Sequence, residues 1–119
     1  MPRYSIPLVP SSLNKFAGRQ NTWEYRALKK QWKELVFWYC RPRPETPIKR
    51  AIVTLTYHFA DRRRRDPDNY AGKMILDGLT EAGIIEDDSF SNIELRLRCG
   101  EPDRESQRTV VEIEEVEDE

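Results

Sequence analysis

Cysteine and histidine are scarce, with two of the first and one of the second in 119 residues. Cys40 and Cys99 stand far apart, with no CxxC pair and no histidine beside either, which argues against a zinc site. Both read as small buried hydrophobes of a chain kept in a reducing compartment. The lone His58 falls on the less apolar face of a strand pattern and reads as a packing or surface group rather than a general base. No apolar run approaches the roughly 20 residues of a membrane span, and the N-terminus lacks the apolar core of a signal peptide. The expectation is a cytoplasmic protein with no membrane partner. Repeats and long low-complexity segments are absent too, and a chain of 119 residues has room for one core, so residues 1–119 are expected to form a single domain.

Net charge is nearly absent as well, at -1, but its distribution is uneven. Up to Ala60 there are 11 Lys and Arg against 3 Asp and Glu, whereas from Glu101 onward there are 2 against 9. A basic first half that leads into the run Arg62–Arg65 suits contact with nucleic acid. The acidic end, EIEEVEDE, reads most simply as a solvated terminus, with a nucleic-acid mimic or an autoinhibitory tail as the sharper alternative.

Tyr4, Ile6 and Leu8 alternate with polar or small neighbours, the pattern of a short strand, and Pro7 places it at an edge. The loop that follows carries Lys15 and Arg19, two cations able to reach DNA. From Asn21 to about Cys40, apolar residues recur at Tyr25, Leu28, Trp32, Leu35 and Tyr39, one helical stripe, with Asn21 and Glu24 resembling a capping box. Phe37 and Trp38 lie beside or off that stripe, so either the core wraps the last turn or a second subunit covers it. After the proline-rich RPRPETP, Ala51 to Phe59 alternate as a strand with one strongly apolar face. Pro67 to Ala82 reads as a second helix with Gly83 at C′. Ile93 to Cys99 and Val110 to Glu114 read as two final strands. The expected fold class is α+β, a small mixed β-sheet with two main helices.

The segment DRRRRDPDNYAGKMILDGLTEAGIIEDD gathers Asp66, Asp68, Asp87 and Asp88 around the second helix. Crowded carboxylates raise one another's pKa unless a cation neutralises them, and hard oxygen ligands suit Mg²⁺ or Mn²⁺. Beside Arg62, Arg63, Arg64 and Arg65, such a site has what phosphodiester hydrolysis needs: a metal to activate water and cations to hold the polyanion. Bland readings exist for each part. Asp66-Pro67 is a favoured N-cap and N1 pair, and Lys73 with Asp77 makes an ordinary i,i+4 ion pair. Asp66, Asn69, Lys73 and Asp77 would share one polar stripe of a continuous helix. Asp87 and Asp88 come after the helix and have no such explanation. They reach its start only if the loop from Gly83 runs back along it, with Ile84 and Ile85 as an extended piece.

DRRRRDPDN, then K, then D-G-L, then A-G-I-I-E-D-D resembles the RusA family of Holliday junction resolvases, small phage- and prophage-associated endonucleases. YSIPL and its Pro/Ser/Asn loop extend the likeness toward the N-terminus. The resemblance implies a RusA-like, homodimeric, Mg²⁺-dependent enzyme that resolves four-way DNA junctions by paired symmetric nicks. It places the catalytic acids on Asp66, Asp68 and Asp88 and the family's helix lysine on Lys73; Asp87, beside Asp88, reads as a further metal ligand or as a group that supports the ligands. One departure stands out: three residues, Tyr70 to Gly72, separate Asn69 from Lys73 where the family pattern has two. An extra residue turns a helical side chain by about 100°, so either the helix starts differently or Lys73 is not the family lysine. Rival readings are a nuclease acting on flaps or forks, a non-catalytic DNA-binding protein of the same fold, and a nucleotide-sugar transferase, for which the chain is too short.

Overall fold

The computed structural model describes residues 2–12 and 22–117. Their order is β1 (Arg3–Ile6), α1 (Trp23–Tyr39), β2 (Ala51–His58), a 3₁₀ turn (Pro67–Tyr70), α2 (Lys73–Glu81), β3 (Ile93–Cys99) and β4 (Arg108–Glu115). The four strands form one sheet in the order β1-β4-β2-β3. β2 runs parallel to β3 and antiparallel to β4, which runs antiparallel to β1. The sheet is therefore mixed and the fold α+β, as the alternating patterns predict.

Alternation decides which face is covered. Ala51, Val53, Leu55, Tyr57 and Phe59 are buried, while the residues between them are only half-buried, so a single sheet face carries the core. On α1 the side chain of Thr22 accepts a hydrogen bond from the Tyr25 amide at 3.2 Å. Thr22 is the N-cap, and because the third residue after it is Tyr25 rather than an acid, the expected capping box is reduced to this one-sided cap. The buried stripe is Tyr25, Trp32 and Val36, with Leu28 and Leu35 at its margin. Tyr39, expected inside, is exposed, because the stripe passes through Val36 to the buried Cys40. Trp32 is 1% exposed, and burying a side chain of that size stabilises by about 3 kcal/mol.

On α2, Met74, Ile75, Leu76, Gly78 and Leu79 are buried. Gly78 lets the two helices approach closely: a Cβ there would lie 2.9 Å from Val36 Cγ2. Lys29 pairs with Asp77 at 3.8 Å and Lys33 with Glu81 at 2.8 Å, so part of the basic charge of the first half is matched within the fold. Phe37, Trp38 and Tyr39 remain exposed, with the guanidinium groups of Arg41 and Arg43 over the Phe37 ring at 5.2 and 4.2 Å. The core does not wrap that turn. Cys99 is exposed rather than buried; it is the last residue of β3, the outermost strand on its side of the sheet. Among the described residues no helix is long and apolar enough to cross a membrane.

Candidate active site

The arginine run follows β2 outside any regular element, and its last member serves the run itself. Arg65 donates to Asp61 Oδ1 at 3.0 Å and to the Asp61 carbonyl at 3.2 Å, and its guanidinium lies 4.1 Å from the centre of the Phe59 ring. The Arg63 amide also donates to Asp61 Oδ1. These contacts, the backbone one first, hold the Asp61 carboxyl below its usual range. Arg65 is thus a strut, only 19% exposed, whereas Arg62, Arg63 and Arg64 are 76 to 89% exposed. Their pairs with Glu101, Asp61 and Asp66, at 3.1 to 3.7 Å, are surface pairs of small net value, readily exchanged for phosphate.

The acids of DPDN follow at once. Asp66 holds the N-cap position of the 3₁₀ turn but its side chain makes no cap hydrogen bond, so the structural explanation accounts for its place and not for its carboxylate. Asp68 is exposed and makes no ion pair or hydrogen bond among the described residues. The turn that carries both acids rests on an aromatic base: Tyr57 Oη donates to the Tyr70 carbonyl at 2.7 Å, and the Tyr70 ring meets Phe59 edge-on at 5.1 Å.

The continuous helix expected over Pro67 to Ala82 is broken. Gly72 adopts φ 81°, a left-handed conformation, and α2 starts afresh at Lys73. This conformation is costly for other residues, and a side chain there would also run into Leu55. The shared polar stripe from Asp66 to Asp77 does not exist as drawn, because Gly72 separates the 3₁₀ turn from α2. Lys73 Nζ lies 3.7 Å from Asp77 Oδ2, the carboxylate that Lys29 also approaches.

After α2 the chain passes through Ile84 and Ile85, both buried; the extended piece expected there is reduced to one bridge at Ile85, because Ile84 still closes the helix end with its amide on the Leu79 carbonyl at 3.0 Å. Ile85 bridges to Ile48 in parallel, through bonds from the Ile48 amide to the Ile84 carbonyl and from the Glu86 amide to the Ile48 carbonyl. Asp87 is exposed and Asp88 half-buried, the latter sharing a cavity with Leu76 in the first turns of α2. Asp88 thus borders the same cavity as the first turn of α2. Among the described residues, however, no three His, Cys, Asp or Glu side chains form a common ligand set. The oxygen-only donors suit a hard cation in kind; in this arrangement they are not drawn together. Lys15 and Arg19 lie outside the described residues.

His58 packs on Gly100, and its Nδ1 lies 2.8 Å from the Glu101 carbonyl oxygen, a packing role. The strut pair Asp61 and Arg65 and the clamp of Tyr57 were not singled out by sequence. The i,i+4 spacing of Asp61 and Arg65 was a visible signal; the Tyr57 contact, 13 residues long, had none. A family model described as Endodeoxyribonuclease RusA matches residues 6–114. No curated protein matches the chain.

Proposed function

This chain belongs to the RusA family of endodeoxyribonucleases, and we propose from that membership that it is a Mg²⁺-dependent, structure-selective nuclease that resolves Holliday junctions by paired symmetric nicks. The observation that carries the reading is local. Two exposed carboxylates, Asp66 and Asp68, stand on a clamped turn directly after three exposed arginines.

Asp66, Asp68 and Asp88 would hold the cation, with Asp87 as a further ligand; Mn²⁺ suits the same oxygens. The bound metal supplies activation of water and offsets charge on the departing oxygen. Arg62, Arg63 and Arg64 bind the phosphodiester backbone, and Arg65 keeps that run of arginines in place. Lys73, at the start of α2, faces the charge that develops on the reacting phosphate. Lys15 and Arg19 extend the basic surface along the DNA.

A two-fold dimer matches a four-way junction, because each subunit then meets one of two opposed strands. The exposed Phe37 and Trp38, which no part of the described core covers, supply an apolar surface for a second copy. Sedimentation giving twice the chain mass supports this part; a monomer that still resolves junctions refutes it.

Synthetic four-way junctions, flaps, forks and plain duplex, each with Mg²⁺ or with EDTA, test the activity. Paired nicks in the junction alone, abolished by EDTA, are the expected result. Preferential cutting of flaps or forks would reassign the substrate, and binding without cutting would leave a DNA-binding protein of this fold.

A further inference from the structure

Phe90 has 105% relative exposure, the largest among the exposed large hydrophobics of the described chain. A ring left in water forgoes the stabilisation of burial, and the turn that presents it is firmly built. The Ser89 carbonyl accepts from the amides of Asn92 and Ile93, each at 3.0 Å, and Ser89 Oγ donates to Asn92 Oδ1 at 2.7 Å. Asn92 in turn donates from Nδ2 to the Lys49 carbonyl at 2.8 Å, and its own carbonyl accepts from the Ala51 amide at 2.9 Å. Phe90 is thus fixed to the sheet on its C-terminal side and projects from it.

Phe90 borders a cavity of about 580 Å³, the size range of small-molecule sites, which Leu76, Ile93 and Leu95 line together with the acidic residues Asp88 and Glu94. The cavity lies along β3, which among the described residues pairs only with β2, so a flat group can enter from the sheet edge. Apolar walls, one free aromatic face and a few acceptors are what a nucleobase needs: its faces stack, and the donors on its edge find oxygen.

We infer that this cavity takes one unstacked base from the branch point of the DNA, with Phe90 as the stacking wall, and so brings the neighbouring phosphodiester beside Asp88. The inference rests on the nuclease reading above. Drawing a base out of a continuous duplex costs a few kcal/mol, and least where pairing or stacking is already interrupted. A base cavity next to a catalytic acid therefore favours branched over plain DNA without reading any sequence.

Junctions carrying 5-iodouracil at the branch point or in mid-arm, irradiated with the non-cleaving Asp68→Asn protein and mapped by mass spectrometry, locate the base. Crosslinks to Phe90 from the branch position alone are expected. Phe90→Ala should bind the junction about 5- to 100-fold more weakly, with duplex affinity and melting temperature unchanged, and Phe90→Trp should restore it. Crosslinks elsewhere, or Phe90→Ala acting as wild type on junctions, would overturn the inference and leave the nuclease assignment standing. So would an affinity loss that tracks conversion of a dimer to a monomer, which would make Phe90 a subunit contact. A wild-type protein that neither binds nor cuts branched DNA would sink both readings together.

Discussion

The hydroxyl of Tyr57 donates to the carbonyl of Tyr70 across 2.7 Å. That bond joins the end of a core strand to the turn bearing Asp66 and Asp68, so two exposed acids inherit the rigidity of the sheet. Burial raises the Tyr57 phenol well above its ordinary range, and the donor stays protonated at any working pH. Tyr57→Phe keeps the ring and removes the bond, at a cost of about 1 kcal/mol in a denaturant titration. Single-turnover cleavage should slow while junction affinity holds. An unchanged rate would mean that the turn does not depend on this clamp.

Gly72→Ala should be more damaging than its size suggests. A left-handed backbone costs a residue with a Cβ about 1 to 2 kcal/mol, and the added carbon also collides with Leu55. A fall in stability of about 2 kcal/mol or more is expected from thermal melting. Because the collision is relieved by shifting the start of α2, Lys73 moves with it, and cleavage should fall further than stability accounts for. Wild-type melting behaviour would show that the break at Gly72 is not required.

The sheet was legible because alternation is a local signal, and its single apolar face can be read residue by residue from Ala51 to Phe59. The second helix was misread at its start for an equally physical reason. Nothing in Tyr70-Ala71-Gly72 forbids helix, and the residues that leave no room for a side chain at the break, Leu55 and Tyr57, come from β2, distant in sequence. The exposure of Cys99 depends on strand order, which periodicity does not encode. In the candidate site, the residues that form the acidic motif were visible, whereas the clamp and the strut were not: Tyr57 is a donor only once Tyr70 has been folded over it. Arg65 looked like its three exposed neighbours until Asp61 and Phe59 were seen to hold it.

Asp68→Asn tests the acid that has no partner. Its carboxylate makes no internal contact among the described residues, so the substitution should leave stability unchanged within about 0.5 kcal/mol. Cleavage should cease. Junction binding should stay the same or tighten, because a negative charge near phosphate has been removed. Gel shift and cleavage on one preparation decide the matter, and full activity would remove Asp68 from the site.

The two thiols should behave oppositely. Cys99 is exposed and Cys40 buried, and burial pushes the Cys40 thiol up to about 12, against a smaller opposing pull from Arg43. A thiol reagent at pH 8 should label one cysteine in the native protein and the second only after unfolding. The alkaline behaviour follows from the same shift. The unfolded chain gives up this proton near the ordinary value of 9.0 while the folded chain keeps it until about 12, so stability is full below pH 9 and is lost progressively above it. Tyr57 and Tyr4, both raised from 10.0 by burial, act in the same direction at higher pH. Cys40→Ala should flatten the loss between pH 9 and 10; an unaltered slope would assign it to the tyrosines.

Lys73 carries the most informative substitution, because its neighbours allow three distinguishable roles. Its side chain is 53% exposed and its ammonium shares the Asp77 carboxylate with Lys29, so it is held near the start of α2 without being neutralised by a partner of its own. If it meets charge that develops only during reaction, Lys73→Ala should lower the single-turnover rate by roughly 10²-fold or more, the scale of one lost electrostatic donor, with junction affinity little changed. If it touches a ground-state phosphate, affinity should drop and the salt dependence become shallower by about one, while the rate at saturating protein holds. If it only serves the ion pair, neither should move, since Lys29 remains to satisfy Asp77. The double variant with Lys29→Ala separates that last case: it strips Asp77 of both cations, and a loss seen only there would make Lys73 a helix-pairing residue with no part in catalysis.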